Sequence, residues 1–437
     1  LRSFMLADVL RRYLEYRGLE VKQVMNITDV GHMTADDSLD SEESEDKMEA
    51  AMKRENKDPW EIASFYTNAF LEDSKKMKFK EPFRRPRATE EIEDMIKMVE
   101  NLVENGYAYV VNGSVYYDVS KFKDYGKLSG NTIEKLKEGA GGRVEHNPDK
   151  KSQFDFALWI EDPKHMMHWK SPWGEHGYPG WHLECSTMST KYLGETIDIH
   201  TGGEDNIFPH HECEIAQSEG ANEKKFCNYW VHVRHLLVDG EKMSKSKGNF
   251  YTLRDLEERG FRPEALRFYY LFSHYRSQMN FTLEGLEQSW DKITKLRDFM
   301  HRLEEVEGDG ESEEVSKLTE KAVSSFEKDM DDDLNTPGAL ASIFNYVKEI
   351  NKLLDGKKLG KKDCEMVLET MRRFDSILVV LEKEKEELPD WAKKLVKERE
   401  KFRKEKNWEK ADQIRDKLKE KGIIVEDTPE GPRYRYR

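Results

Sequence analysis

Apolar residues recur at three- and four-residue steps over Leu6–Tyr16, and again at Leu283, Leu286, Trp290, Ile293, Leu296, Phe299 and Leu303. Such spacing keeps one stripe on one face, which predicts an amphipathic helix at the start and a long one from about residue 283. A different rhythm lies between them. Val21–Ile27 alternates as a strand does ahead of the turn-like Thr28-Asp29-Val30-Gly31, and Thr196–His200 and Tyr229–Val233 are short runs rich in β-branched and aromatic residues. With Glu212–Glu219 read as the helix between the last two, the order predicts an α/β fold with a parallel sheet. Residues from about Asp58 to Gly106 read as helical and Tyr107–Val119 as strands, a block inserted between the two halves of the sheet. Asp36–Glu49 has only Leu39 and Met48 as apolar residues and reads as a mobile loop. Beyond the long helix, Glu304–Glu314 is an acidic connection and helices continue to about Glu384. A tail from Trp391 offers a basic helix over Lys393–Lys421 and a last strand at Gly422-Ile423-Ile424-Val425.

At 437 residues the chain has room for several domains. Apolar residues make up 37% and charged residues 36%, and no apolar run approaches the roughly 18 residues of a membrane span. A cytoplasmic location with no membrane partner is expected. The four cysteines, Cys185, Cys213, Cys227 and Cys364, form no CxxC pair, so a disulfide framework is not expected and reduced thiols are. A net charge of −15 argues against wholesale coating of nucleic acid while leaving room for a local basic track.

Candidate chemistry sits in a few places. Glu241–Asn249 carries Lys242, Lys245 and Lys247 on a Ser/Gly-containing loop, and lysine's compact charge on a flexible stem suits charge developing on phosphate oxygens; the alternative is a solvated basic turn. Ligands of open α/β sheets bind at the carboxyl ends of strands, which points to His200, Gly202 and Gly203. The glycines permit close backbone approach, or merely turn the chain. Cys185, His210 and Glu214 supply a thiolate, an imidazole and a carboxylate, and His210 and Glu214 are spaced to share a helix face. A buried cysteine beside an unrelated histidine pair is the alternative. In the tail, eight Lys and Arg residues from Lys393 to Lys406 precede Trp408, and the chain ends Arg433-Tyr434-Arg435-Tyr436-Arg437. Basic residues interleaved with aromatics suit phosphate contact and stacking of unpaired bases, although Glu398, Glu400, Glu405 and Glu409 also allow a solvated face.

The string Lys242-Met243-Ser244-Lys245-Ser246 resembles the second signature of class I aminoacyl-tRNA synthetases. Together with Pro179–Ser186, Asp198–Asp205 and Phe208–Glu219 it resembles the cysteinyl-tRNA synthetases, a likeness running from Asn26–Val30 to Val425–Gly431. The resemblance implies a class I Rossmann-like parallel sheet with an inserted connective domain, then a helical domain and a small C-terminal anticodon-binding domain. The expected divisions are 1–57 and 181–240 for the two parts of the catalytic domain, 58–180 for the insertion, 241–282 for the lysine loop and stem-contact region, 283–390 for the helical domain, and 391–437 for the anticodon-binding domain.

It further implies ATP-dependent activation of L-cysteine and its transfer to the 3′ end of tRNA(Cys). One Zn²⁺ per chain would sit on Cys185, His210 and Glu214 and take the substrate thiolate, with ATP and Mg²⁺ as substrate. Zinc prefers a soft thiolate to the hydroxyl of serine, and a specific polar contact rejects an isostere by roughly 10⁴-fold. Lys242 and Lys245 are the implied catalytic residues, with Lys245, Gly202 and Gly203 at ATP. Trp181 would wall the cysteine pocket, Asp205 would meet the α-ammonium group and His200 would lie close by; Trp181 as core and Asp205 as a helix cap are the alternatives, and His182 is a weaker candidate. Trp408, Arg433 and Arg435 would touch tRNA, and a monomer is expected.

The family's HxGH signature, and the zinc-binding cysteine just before it, have no counterpart in the sequence. Leu1-Arg2-Ser3-Phe4-Met5 resembles what directly follows that signature, so the expectation is a chain that starts after it, short of one strand, one zinc ligand and the ATP-positioning histidines. Cys213 stands where the family commonly has asparagine. The alternative functions are a non-catalytic zinc- and tRNA-binding paralogue and the related ligase that joins cysteine to an amino sugar; the tail from Trp391 argues against the second.

Overall fold

The computed structural model of the chain describes residues 1–31, 52, 55–135, 147–244, 248–382, 390–405, 407–420, 423–428 and 431–436. It comprises two compact units, Leu1–Lys242 with Phe272–Asn280 and Lys328–Gly338, and Met243–Leu271 with Phe281–Glu327 and Ala339–Arg437. The acidic stretch Asp36–Glu49 lies outside the described residues.

In the first unit the opening helix runs Arg2–Tyr16 and buries Met5, Leu6, Val9 and Tyr13, the stripe its spacing predicts. Val21–Ile27 departs from expectation. It runs alongside residues 83–88 in the parallel sense but forms only isolated bridges, Val24 with Arg84 and Ile27 with Arg87. Pro82 and Pro86 in the partner segment have no N–H to donate, so the ladder is interrupted. The expected helical block from 58 is likewise two helices. Pro59–Lys76 starts on an Asp58–Glu61 capping box with proline at its first turn, and Ile92–Glu104 follows the extended proline-bearing stretch.

Ala108–Val111 and Ser114–Tyr117 form a hairpin closed by Asn112 and Gly113, whose φ values of 51° and 86° are those of a type I′ turn. Phe156–Glu161 and Gly177–Pro179 extend it into a four-stranded antiparallel sheet. Its core unites Met95, Val99 and Leu102 with Tyr117, Trp159 and Leu183. Next come the helix Trp181–Leu193, the strand Ile197–Gly203, the helix Glu212–Asn222 and the strand Cys227–Val233. The two strands pair in parallel, with His200 opposite Trp230 and Gly202 opposite His232.

The second unit is mainly helical. Leu283–Glu304 buries Leu286, Ile293, Leu296, Phe299 and Leu303, as the stripe predicts. Arg267, fully buried, donates to the carbonyls of Ile377 and Leu378 at the end of the helix Lys361–Leu378. Those carbonyls have no partner within the helix, and a charged donor satisfies them. The expected single basic helix of the tail is two, Asp390–Lys404 and Trp408–Glu420, because the Asn407 side chain accepts from Lys410 N and caps the second. Its end is a hairpin, Ile423–Thr428 with Gly431–Tyr436, in place of the single expected strand. Ala392, Val396, Ile414, Leu418, Ile423 and Val425 give this tail a core of its own. No described helix is long and apolar enough to cross a membrane.

Candidate metal centre and substrate site

Gly180 precedes the helix Trp181–Leu193, and a Cβ there would meet the carbonyl oxygen of Ala157 at 2.2 Å. Glycine therefore lets the helix start flush against the antiparallel sheet. The helix Glu212–Asn222 packs beside it, joined by Ser186 Oγ donating to Gln217 Oε1 at 2.8 Å. These two contacts bring Cys185, His210 and Glu214 together, with one donor atom from each inside a 4.8 Å span.

Glu214 is fully buried. Its Oε2 lies 2.6 Å from His200 Nε2 in a hydrogen bond. Its Oε1 lies 2.6 Å from His210 Nε2 but without hydrogen-bond geometry, and has no hydrogen-bond partner among the described residues. A buried acceptor aimed at another nitrogen, with a thiol beside both, is a set of lone pairs that a cation completes. One sulfur, one imidazole and one carboxylate match the donors of a tetrahedral zinc site with a position open. Behind the ligand nitrogen, His182 Nδ1 meets His210 Nδ1 at 2.7 Å and fixes the ring, as a partner behind a metal-bound histidine does. Asn26 Nδ2 donates to Cys185 Sγ at 3.4 Å, and Trp181 lies over His210 with ring centroids 4.1 Å apart.

The electrostatics point the same way. Burial pushes the Cys185 thiol well up, and the Glu214 and Glu184 carboxylates push it further. Burial also opposes ionisation of Glu214, but His200 and His210 hold its carboxyl well below the usual range. Burial takes His211 down to about 2 and His232 to about 4, so both are neutral at pH 7. His211 Nδ1 and His232 Nε2 are 2.9 Å apart, and His200 stacks on Trp230 at 4.7 Å. His200, His211 and Glu214 make a second donor trio that shares the carboxylate.

Gly202 closes this wall. A Cβ on it would lie 2.6 Å from His211 Cε1, so any side chain displaces the ring. Gly202→Ala is expected to cost about 1–3 kcal/mol through overpacking, read as a fall in Tm. An unchanged Tm would mean that His211 has room to move.

Residues 1–291 match the family described as tRNA synthetases class I (C) catalytic domain, residues 325–382 the DALR domain, and residues 385–435 the cysteinyl-tRNA ligase anticodon binding domain. The chain is 44% identical to the cysteine–tRNA ligase of Thermus thermophilus, over 98% of its own length and 89% of that protein's. The chain belongs to the cysteine–tRNA ligase family. The same name is carried by a Salinibacter ruber protein 41% identical over 100% of this chain and 90% of its own. In fold the chain is similar to a Mycobacterium tuberculosis methionyl-tRNA synthetase solved in complex with methionyl-adenylate, with a TM-score of 0.61, 14% identity, and coverage of 87% of this chain and 84% of that one.

Of the residues the family resemblance singles out, Cys185, His210, Glu214, His200 and Trp181 come together. Gly202 and Gly203 end the strand beside them, and Asp205 lies exposed on the short turn Glu204–Asn206. Lys242 is exposed on the strand Glu241–Lys242, which pairs antiparallel with Leu236–Val238. Met243 and Ser244 follow, and Lys245 and Ser246 lie outside the described residues. Trp408 is exposed at the first turn of its helix with the Arg403 guanidinium 6.0 Å from its ring centre. Arg433 and Arg435 fall in the last strand of the hairpin, their side chains outside what is described. Cys213 is core, its sulfur 3.5 Å from Tyr125 Oη.

Sequence reasoning missed Asn26, His211, Trp230 and His232. For His232 a signal existed: it is the last residue but one of an expected parallel strand, near the end where ligands of such sheets bind.

Proposed function

We propose that the chain is a cysteine–tRNA ligase that activates L-cysteine with ATP and passes it to tRNA(Cys). The observation that carries this reading is the convergence of Cys185, His210 and the half-satisfied Glu214 beside the parallel strand pair that carries His200, in a chain that also carries Lys242-Met243-Ser244-Lys245-Ser246. In the first step a cysteine carboxylate oxygen bonds to the α-phosphorus of ATP and the bond to pyrophosphate breaks. In the second a terminal ribose hydroxyl of tRNA takes the acyl group, loses its proton, and AMP leaves.

Cys185, His210 and Glu214 would hold one Zn²⁺ per chain, which would supply a borderline-soft Lewis acid that favours the substrate as thiolate over the hydroxyl of serine. The protein's own groups do the rest. Asn26 steadies the Cys185 sulfur, and His182 fixes the ring of His210. Trp181 and His200 wall the side-chain pocket, and Asp205 receives the α-ammonium group. Gly202 and Gly203 allow the nucleotide close to backbone, and Lys242 and Lys245 balance charge on the triphosphate with its Mg²⁺. Trp408, Arg433 and Arg435 contact the anticodon region. We take the functional divisions to be 1–57, 58–180, 181–240, 241–282, 283–390 and 391–437, in a cytoplasmic monomer.

Cysteine-dependent exchange of pyrophosphate into ATP, with serine rejected by roughly 10⁴-fold, tests the assignment. Zinc and tRNA binding without exchange would favour a non-catalytic role.

Deleting Trp391–Arg437 should leave that exchange largely intact and weaken aminoacylation, since the tail has its own core and need not support the catalytic unit. Equal loss of both activities would assign the tail a folding role.

A further inference from the structure

A cavity of about 510 Å³ lies in the first unit between the C-terminal half of the helix Pro59–Lys76 and the extended segment that follows it. None of its lining residues belongs to the metal cluster. The lining is strongly cationic for a chain of net charge −15: Lys75, Lys78, Arg85 and Arg87 face it, against one carboxylate, Glu81. Glu81 is already engaged by Arg85 Nη1 at 2.8 Å. Arg87 comes no nearer than 4.0 Å to Asp29, whose oxygens accept from the amide and hydroxyl of Thr89.

Two buried donors in the lining are unsatisfied. Ser74 is 2% exposed and its hydroxyl has no hydrogen-bond partner among the described residues, and Arg85 Nε has none either. Buried polar atoms of this kind ordinarily have a partner, so donors left open among cations point to an acceptor that arrives from outside. The helix presents its carbonyl end here, which repels anions, so any anion is held by side-chain charge and not by the helix dipole. Arginine forks and lysine point charges together are the equipment for phosphate.

We propose that this cavity is a phosphate subsite taking a backbone phosphate of the tRNA acceptor arm. The proposal rests on the ligase reading, because it is the acceptor arm that must bring its 3′ end to the unit holding Cys185, His210 and Glu214. The volume is in the range of about 300–1,000 Å³ typical of ligand sites, enough for a phosphodiester with part of its nucleoside. Most of the binding of such a group is electrostatic and released by salt.

The test is equilibrium binding of the full 437-residue chain to tRNA(Cys) and to its acceptor-stem minihelix, by fluorescence anisotropy across a salt series. Lys75→Gln/Lys78→Gln removes two cations; Lys75 is exposed, and circular dichroism and zinc content report whether the fold survives. The variant is expected to bind both RNAs about 10-fold more weakly, and the slope of log affinity against log salt should fall by roughly 0.7–0.9 for each phosphate that is no longer neutralised. Ser74→Ala should weaken binding with the slope unchanged. Wild-type affinity and slope in the double variant would overturn the proposal. So would loss of inorganic phosphate binding, followed by titration calorimetry, with RNA binding intact, which would assign the cavity to a free phosphorylated compound. Pyrophosphate exchange by the unaltered chain tests the ligase reading separately, so the two can fail independently.

Discussion

Glu214→Gln is expected to empty the metal site while the two helices that build it stay folded. The carboxylate has no exposure and lies 2.6 Å from both His200 Nε2 and His210 Nε2. The amide keeps the volume and one acceptor but removes the only full negative charge among these donors apart from an ionised Cys185. Loss of a residue merely supporting a ligand costs roughly 10- to 100-fold in metal affinity, and loss of the ligand itself should exceed that. Breaking a buried charge pair from one side also costs about 3–5 kcal/mol; retained hydrogen bonding should keep the change near the low end. Metal analysis after dialysis against a chelator reads the first effect, and thermal unfolding the second.

The same experiment separates the two donor trios that share Glu214. If the ion sits on Cys185 and His210, then Cys185→Ser and His210→Asn should each deplete zinc and weaken cysteine binding, while His200→Asn should leave the metal and disturb only the pocket wall. A full zinc complement in both Cys185→Ser and Glu214→Gln would refute the assignment.

Of the metal trio, spacing alone shows only that His210 and Glu214 are one helical turn apart; Cys185 joins them through the resemblance carried by Pro179–Ser186, and its helix comes from the structure. Both strands that frame it were legible from their β-branched and aromatic runs. What stayed hidden depends on pairings between distant segments. Asn26 reaches Cys185 across 159 positions, and His232 gains meaning only from the register that sets it opposite Gly202. Val21–Ile27 has the alternation of a strand, yet its ladder is broken by prolines in its partner, about which the segment itself says nothing. The division of the tail at Asn407 was visible in principle, since asparagine before a helical run is a cap, but continuous basic charge on both sides masked it.

Lys245→Ala should slow formation of cysteinyl-adenylate by roughly 10²- to 10³-fold, the usual loss for one donor aimed at charge that develops in the transition state. Lys245 itself lies outside the described residues, so the expectation rests on its chemistry and on what brackets it. On one side Ser244 N donates to Asn249 Oδ1 at 2.8 Å, which ties the two ends of the loop together. On the other Gly248 takes a φ of 68°, a left-handed turn that side chains rarely adopt. The described residues on either side of Lys245 are therefore anchored, by a hydrogen bond to Asn249 on one and by a glycine turn on the other. Because the charge Lys245 meets grows as pyrophosphate departs, the loss should fall on the rate of single-turnover adenylation, with the apparent affinity for ATP changed much less. Lys245→Arg should recover only part of the rate, since a planar fork does not reproduce a point charge. Equal losses in rate and ATP affinity would mean uniform binding of the nucleotide, and an unaltered rate would reduce the loop to a solvated basic turn.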